Sequence, residues 1–279
     1  MTKLKIACVQ MRSSRDMAEN IETASRLIEQ AAAEGATLIS TPEMTTLLER
    51  SAKSLFEIAT DFANDPSIPV FKALAKRLKV WLHIGSVPVL TDGGKCANRA
   101  LFISPDGELL AHYDKIHMFD VELGGGEAYR ESRSYKPGDR AVMVKTPFGG
   151  VGLSICYDLR FAHLYRTLAK AGADILMIPA AFTKVTGQAH WHVLLRARAI
   201  ETGCFVVAAA QGGLHADGRE TFGHSLIIAP WGEVLAEAEH AKPGIICAEI
   251  DLEEVARARG RVPALTHDRE ITLDVIDAL

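Results

Sequence analysis

No stretch of the chain joins the roughly 20 apolar residues that a bilayer-crossing helix takes. The opening segment MTKLKIACVQMRSS has two lysines, then only a strand's length of apolar residues, too few for a signal-peptide core. Lys and Arg are scattered without a run of five and the net charge is -4, so no surface is marked for nucleic acid or anionic lipid. The five cysteines (Cys8, Cys96, Cys156, Cys204, Cys247) are odd in number, widely spaced and form no CxxC pair, which argues against a disulfide framework or a zinc ribbon. No HExxH spacing occurs, and the HWH run at 190–192 sits on an expected helix whose residues two apart point to different faces, so no metal site is expected. Gly124 to Gly126 is not followed by the Gly-Lys-Ser/Thr of a phosphate loop. These absences leave a cytoplasmic protein with reduced thiols that acts on a small molecule, without nucleic acid or membrane as partner.

What is present is an ordinary globular composition, 48% hydrophobic and 24% charged over 279 residues, enough to bury a large core. With neither linker nor low-complexity tract, one domain over residues 1–279 is expected. LKIACVQ reads as a buried strand. Ile21, Ala24, Leu27, Ile28, Ala31 and Ala32 then recur at helical spacing until Gly35, and TLIST follows as a second strand, a crossover unit. SIPVFKALAKRLKV suggests a further helix and WLHIGSVPVL a third strand. ALFISPDGELLAHY then reads as a hairpin closed by Pro-Asp-Gly, and SLIIAPWGEVLAEA repeats it, with Pro230, Gly232 and Glu233 at the spacing of Pro105, Gly107 and Glu108. Between the hairpins lie GVGLSICYD (strand), LYRTLAKAGA (helix), DILMIPAAF (strand), AHWHVLLRARAIETG (helix) and CFVVAAAQ (strand). Two halves of this kind predict two similar layers packed face to face, a four-layer αββα sandwich with two mixed sheets between outer helices. The polar, glycine-rich stretch MFDVELGGGEAYRESRSYKPGD reads as a long loop and as part of an active-site wall.

Within this frame Cys156 closes a strand just before an expected helix, where a helix N-terminus would lower its pKa. Position alone leaves two readings open, a reactive nucleophile or a buried structural thiol. A thiol nucleophile needs a base and an anion stabiliser. Glu43 in STPEMT and Lys115 in HYDKIH follow strands expected to run beside the Cys156 strand, and Glu131 lies in YRESRS.

Taken together, TPE at 41–43, YDKIHMFD at 113–120, ES at 131–132 and GLSICYDLRF at 152–161 resemble, in order, the nitrilase superfamily of carbon-nitrogen hydrolases, over nearly the whole chain. The resemblance implies Cys156 as nucleophile, Glu43 as general base and acid, Lys115 as oxyanion holder, Glu131 as an accessory carboxylate, an αββα sandwich and a homodimer or higher oligomer. An amide carbonyl is a poor electrophile, so charge moving onto its oxygen must meet donors already in place: the Lys115 ammonium and the backbone N–H of Tyr157. Glu43 would take the thiol proton, hand it to the departing nitrogen, then activate water against the thioester, giving ammonia and a free acid with no metal or organic cofactor. Glu131, if near Glu43, would raise that carboxyl's proton affinity.

Within the superfamily, AFTKVTGQAHWHVLLRARAIETGCFVVAAAQGG followed by FGHSLIIAPWGE resembles the Nit branch, which implies an amidase for deaminated glutathione or 2-oxoglutaramate. Such acids call for a cation in the pocket, and Arg160, Lys184 and Arg198 are the candidates, with Phe182 and Thr183 as lining. Ala162 and His163 stand where this branch has Pro-Glu, which puts fine specificity in question. The alternatives are an N-carbamoyl or aliphatic amidase, a nitrilase, or, in another class, a catalytically silent binding protein or a thiol redox sensor.

Overall fold

A computed structural model describes residues 3–124 and 127–277. The first half runs β1 (Lys3–Gln10), α1 (Met17–Ala33), β2 (Leu38–Ser40), α2 (Ala52–Ile58), α3 (Ser67–Leu78), β3 (Trp81–Leu90), β4 (Cys96–Ile103) and β5 (Leu109–Asp114). A small hairpin, β6 (Asp120–Gly124) and β7 (Glu127–Arg130), leads into β8 (Val142–Thr146), β9 (Gly149–Leu153), α4 (Ala162–Lys170), β10 (Ala173–Met177), α5 (Lys184–Thr202) and β11 (Phe205–Ala208). A second small hairpin, β12 (Gly212–Leu214) and β13 (Glu220–Phe222), precedes β14 (Leu226–Ile228), β15 (Val234–Glu237), β16 (Gly244–Asp251) and α6 (Glu253–Arg261).

Two six-stranded sheets form, in the orders β16-β1-β2-β3-β4-β5 and β8-β9-β10-β11-β14-β15. Each has three parallel strands at its centre, an antiparallel strand on one side and an antiparallel hairpin on the other. The expected mixed sheets are therefore present, and the two hairpins occupy equivalent ends. Their turns match bond for bond. Ser104 N–H donates to Glu108 O and Gly107 N–H to Ser104 O, while Ala229 N–H donates to Glu233 O and Gly232 N–H to Ala229 O, all at 2.9 Å. Gly107 and Gly232 sit at φ +79° and +98°, which a side chain would resist.

The period-2 alternation of β1 shows how the layers stack. Ile6 and Cys8 join the core between the sheets, with the Cys8 thiol donating to Leu226 O of the second sheet, whereas Ala7 and Val9 pack with Leu27, Ile28 and Phe71 of the outer helices. α1 starts where the Asp16 side chain accepts from Glu19 N–H, and Gly35 at φ +88° follows its end. α4 and α5 cover the other sheet, burying Leu164, Leu168, Trp191 and Leu195. Each such side chain contributes about 1.5–3 kcal/mol when removed from water.

Four details differ from the sequence reading. β9 stops at Leu153, so Cys156 is not on the strand but opens a 3-10 turn over Cys156–Arg160. β9 also belongs to the sheet facing β2 and β5 rather than lying beside them, because parallel pairing of β9 with β10 and of β10 with β11 closes the second half on itself. The glycine-rich stretch expected as a loop contains the β6–β7 hairpin and a 3-10 turn at Glu131–Arg133, paired from Asp120↔Arg130 to Gly124↔Glu127; residues 125 and 126 lie outside the described residues. α5 begins at Lys184, five residues before the expected start, since Thr183 accepts from Thr186 N–H as its N-cap.

Candidate active site

Glu43 lies three residues beyond β2, in a loop laced onto the irregular middle of β3. Thr41 N–H bonds His83 O (2.9 Å), Met44 N–H bonds Ser86 Oγ (2.8 Å) and Thr45 N–H bonds Ser86 O (2.9 Å). Gly85 makes this approach possible, because a Cβ there would stand 2.2 Å from Thr41 O. Lys115 is the first residue past β5, its N–H donating to Asn98 O at 2.9 Å. Glu131 opens the 3-10 turn after the hairpin, and its Oε2 accepts from Phe119 N–H at 2.6 Å. Cys156 comes from the opposite sheet, at φ +51°, with its N–H on Pro179 O at 2.8 Å. A left-handed conformation at a residue with a Cβ costs on the order of 1–3 kcal/mol.

The side chains converge. Lys115 Nζ donates to Glu43 Oε1 at 3.0 Å and to both oxygens of Glu131 at 2.9 Å. Asn98 Nδ2 donates to Glu43 Oε1 at 2.8 Å, and Ala181 N–H to Glu43 Oε2 at 2.8 Å. Glu43 lies within interaction range of the Cys156 thiol. Glu43, Lys115 and Cys156 are buried, Lys115 only 2% exposed, and Glu131 is partly buried.

Burial alone would push the Glu43 carboxyl upward, but Lys115, the Cys156 thiol and Asn98 together hold it below the ordinary carboxylate range. Burial would likewise depress Lys115, yet Glu131 and Glu43 keep its ammonium well above the usual lysine value. Cys156 moves the other way: burial first, then the Glu43 charge, raise the thiol well above its usual value despite Lys115. Two expectations are thereby corrected. The thiol is not lowered by a helix terminus, because it faces a carboxylate in a closed site, and Glu43 is not raised by Glu131, because both acids share the Lys115 ammonium between them.

These residues form the floor of a cavity of about 540 Å³, walled by Phe119, Tyr129, Tyr157, Ala181, Phe182 and Thr183 among others. Phe182 and Thr183 thus stand where expected, and Tyr157 opens the wall above the thiol. The three expected cations do not line it. Arg160 is held outside by His190 Nδ1 (3.3 Å) and lies over the Tyr157 and Phe182 rings, at 5.8 and 5.5 Å. Lys184 pairs with Glu220 at 2.9 Å. Arg198 is buried, donating to Leu159 O (3.0 Å) and Glu201 (2.8 Å). The cavity's own arginines are Arg50, Arg130, Arg133 and Arg219, two of them in the stretch expected as part of its wall.

Two further residues escaped the sequence reading. Asn98 bridges Glu43 and Glu131 (2.8 and 3.4 Å) from the middle of β4. Asp158, fully buried, accepts from Tyr113 Oη (2.7 Å), Ile155 N–H (2.9 Å) and His117 N–H (3.1 Å), with His117 Nδ1 at 2.6 Å, so it ties the cysteine turn to the end of β5. Asp158 stands in a segment that carried the resemblance and Asn98 in none, and each is defined by partners remote in sequence. Ala162 starts α4 without a side-chain cap, and His163 lies edge-on to the His117 ring at 5.9 Å. Outside the cavity, His192 Nε2 and His224 Nδ1 both bond Glu237 Oε1, at 2.9 and 2.8 Å, whereas His190 of the same HWH run goes to Arg160.

Comparison with known proteins places the chain in a family. A family model described as carbon-nitrogen hydrolase matches residues 5–260. Deaminated glutathione amidase of Synechocystis sp. is 43% identical over 265 residues, covering 94% of this chain and 96% of the relative. The mouse protein of the same name is 39% identical over 269 residues, 95% of this chain and 83% of its own length. Among solved structures, Saccharomyces cerevisiae Nit3, a member of branch 10 of the nitrilase superfamily, superposes with a TM-score of 0.85 at 30% identity, covering 95% of this chain and 96% of that one.

Proposed function

The chain belongs to the carbon-nitrogen hydrolase family, and from that premise we propose that it is an amidase that opens an amide of a small carboxylate-bearing acid, of the deaminated glutathione or 2-oxoglutaramate type, through a Cys156 thioester. The observation that carries this reading is the meeting of Cys156, Glu43, Lys115 and Glu131, from both sheets and the hairpin turn, on the floor of one cavity. Burying two carboxylates, an ammonium and a thiol together is costly unless they are used, which speaks against a silent binding protein.

Glu43 is ionised at neutral pH and Cys156 is protonated, so the resting pair is thiol and carboxylate. The proton passes from sulfur to Glu43 as the sulfur attacks the carbonyl carbon. Glu43 then returns it to the departing nitrogen as the C–N bond breaks, and afterwards takes a proton from the water that attacks the thioester, releasing the acid and the thiol. General acid-base help of this kind supplies roughly 10²- to 10⁴-fold. The leaving group is ammonia from a primary amide and an amine from a secondary one such as deaminated glutathione. At rest the Lys115 ammonium donates only to carboxylates, so its action on the oxyanion is through its charge, or through one bond transferred from Glu43 Oε1 as Glu43 is protonated. The Tyr157 N–H, in the first turn of a 3-10 helix where amides lack intrahelical partners, supplies the second donor.

We also infer a homodimer and a cytoplasmic setting. Val193, Ile200 and Trp231 are 67%, 55% and 50% exposed around α5 and the β14–β15 turn, an apolar surface suited to a second copy, and the five cysteines are all free thiols, as suits a reducing compartment. Light scattering after size exclusion tests the dimer.

The test of the chemistry is release of ammonia or amine from deaminated glutathione, 2-oxoglutaramate, carbamoyl-amino acids, aliphatic amides and nitriles, with mass spectrometry of the trapped acyl-enzyme. Turnover confined to the first two, and its loss in Cys156→Ala, is expected; full activity in that variant would refute the mechanism.

A further inference from the structure

The cavity wall carries more positive charge than its catalytic acids engage. Lys115 is bound by Glu43 and Glu131, and Glu49, the remaining acid of the wall, is paired with Arg15 and accepts from Ser51 N–H at 2.7 Å. Of the four arginines, Arg130 is occupied by Glu122 and by the carbonyl oxygens of Val121 and Tyr129. Arg50 and Arg133 form no ion pair among the described residues. Arg219 has Asp217 beside it, but Nη2 to Oδ2 is 3.6 Å, beyond hydrogen-bond length, and both Arg219 Nε and Asp217 Oδ2 are buried without any hydrogen-bond partner. An enclosed guanidinium with an unused donor, on the wall of a cavity, is a group awaiting an acceptor.

The arginines are also gathered. The guanidinium carbons of Arg50 and Arg219 lie 5.7 and 6.0 Å from the centre of the Tyr129 ring. The ring face offsets part of their repulsion, and an anion between them would offset the rest. From Tyr129 the wall continues toward the thiol in two successive ring-to-ring steps of 5.1 Å, to Phe119 and then to Tyr157, the neighbour of Cys156.

Resting on the amidase reading above, we propose that Arg50 and Arg219, gathered at Tyr129, form a carboxylate subsite that selects substrates carrying a carboxylate remote from the scissile carbonyl. The subsite makes the preferred substrate an acid amide with two anionic ends, and it explains why Arg160 and Lys184 can be engaged elsewhere.

The test compares deaminated glutathione with the same compound methyl-esterified at its glycine carboxylate. Neither contains a free amine, so an amine-reactive reagent reads hydrolysis of both directly. The wild type is expected to favour the acid over the ester by about tenfold to hundredfold in kcat/KM, the usual worth of a charge-assisted contact. Arg50→Gln and Arg219→Gln should each cut that ratio about tenfold, mainly through KM, and Arg219→Lys should restore part of it. Arg50 is exposed, so its substitution tests the subsite even if Arg219→Gln folds poorly. An acid-to-ester ratio near one in the wild type, or one unchanged in Arg50→Gln and Arg219→Gln, overturns the subsite while leaving the amidase reading in place. No amine from either compound with the wild type overturns that reading, and the subsite with it.

Discussion

Replacing Lys115 by methionine keeps most of the side-chain volume and removes the one cation between Glu43 and Glu131. In the wild type its ammonium makes three carboxylate contacts, at 3.0, 2.9 and 2.9 Å, inside a site where it is 2% exposed. Breaking a buried ion pair by deleting one partner typically costs about 3–5 kcal/mol, because the remaining charge is left without compensation. With a urea slope of about 3 kcal/mol per M, at the upper end for small domains, the unfolding midpoint should fall by roughly 1–2 M at pH 7. The sign of the pH dependence follows from the two carboxyls. In the wild type the Glu43 pKa is held below its ordinary 4.5, so this group's contribution is present above that value and is lost as pH falls through the lowered one. Without Lys115, burial and the neighbouring Glu131 charge raise the Glu43 carboxyl, so the variant takes up a proton on folding and regains stability as pH drops from 7 toward 5. The stability gap between the two proteins should therefore shrink with acid. Turnover should fall by about a hundredfold or more, since the oxyanion loses its charge partner and Glu43 becomes protonated. Urea titrations of both proteins at pH 7 and pH 5 decide the matter; equal midpoints at pH 7, or a gap that widens at pH 5, would refute the proposed charge arrangement.

The pH profile of kcat/KM should show a broad plateau, because the carboxylate is held low while the ammonium and thiol are both held high, and its acid limb should lie below pH 4.5, wherever acid unfolding does not intervene first. A midpoint near 6 or above would assign the base to another group. Gly85→Ala should cost about 2 kcal/mol or more and lower kcat, because its Cβ would stand 2.2 Å from Thr41 O and 2.5 Å from Pro42 C and displace the loop bearing Glu43; thermal unfolding and turnover read this together. Asp158→Asn removes a charged acceptor of four contacts and should cost about 2–4 kcal/mol, with kcat lowered as the Cys156 turn loosens; wild-type turnover in a folded variant would rule out its positioning role.

What was legible in the sequence was whatever local chemistry decides. Proline followed by glycine two residues later closes a turn whichever sheet receives it, so both hairpins stood out, and their equal spacing announced two similar halves. Glycines at φ +88° and +59° marked the ends of α1 and α5 for the same reason. The Thr183 cap was equally local and went unused, which put the start of α5 too late. Glu43, Lys115 and Cys156 were found as segments in a recognisable order, but their mutual effects were not, since a pKa depends on what faces a group across space. The thiol was read from its strand and helix as lowered, whereas the opposite sheet supplies a carboxylate that raises it. The pocket cations failed for the same cause. Arg160 and Lys184 stand near Cys156 and Phe182 in sequence, but nearby aromatic, histidine and acidic groups engage them. Arg50 and Arg219 belong to loops 169 residues apart that meet only because the facing sheets carry their strand ends to one rim. In this sandwich the proposed reacting groups follow strand ends, which pattern reveals, while the groups that would choose the substrate come from the connections around the rim, where only the folded chain shows which arginine keeps a buried donor without a hydrogen bond.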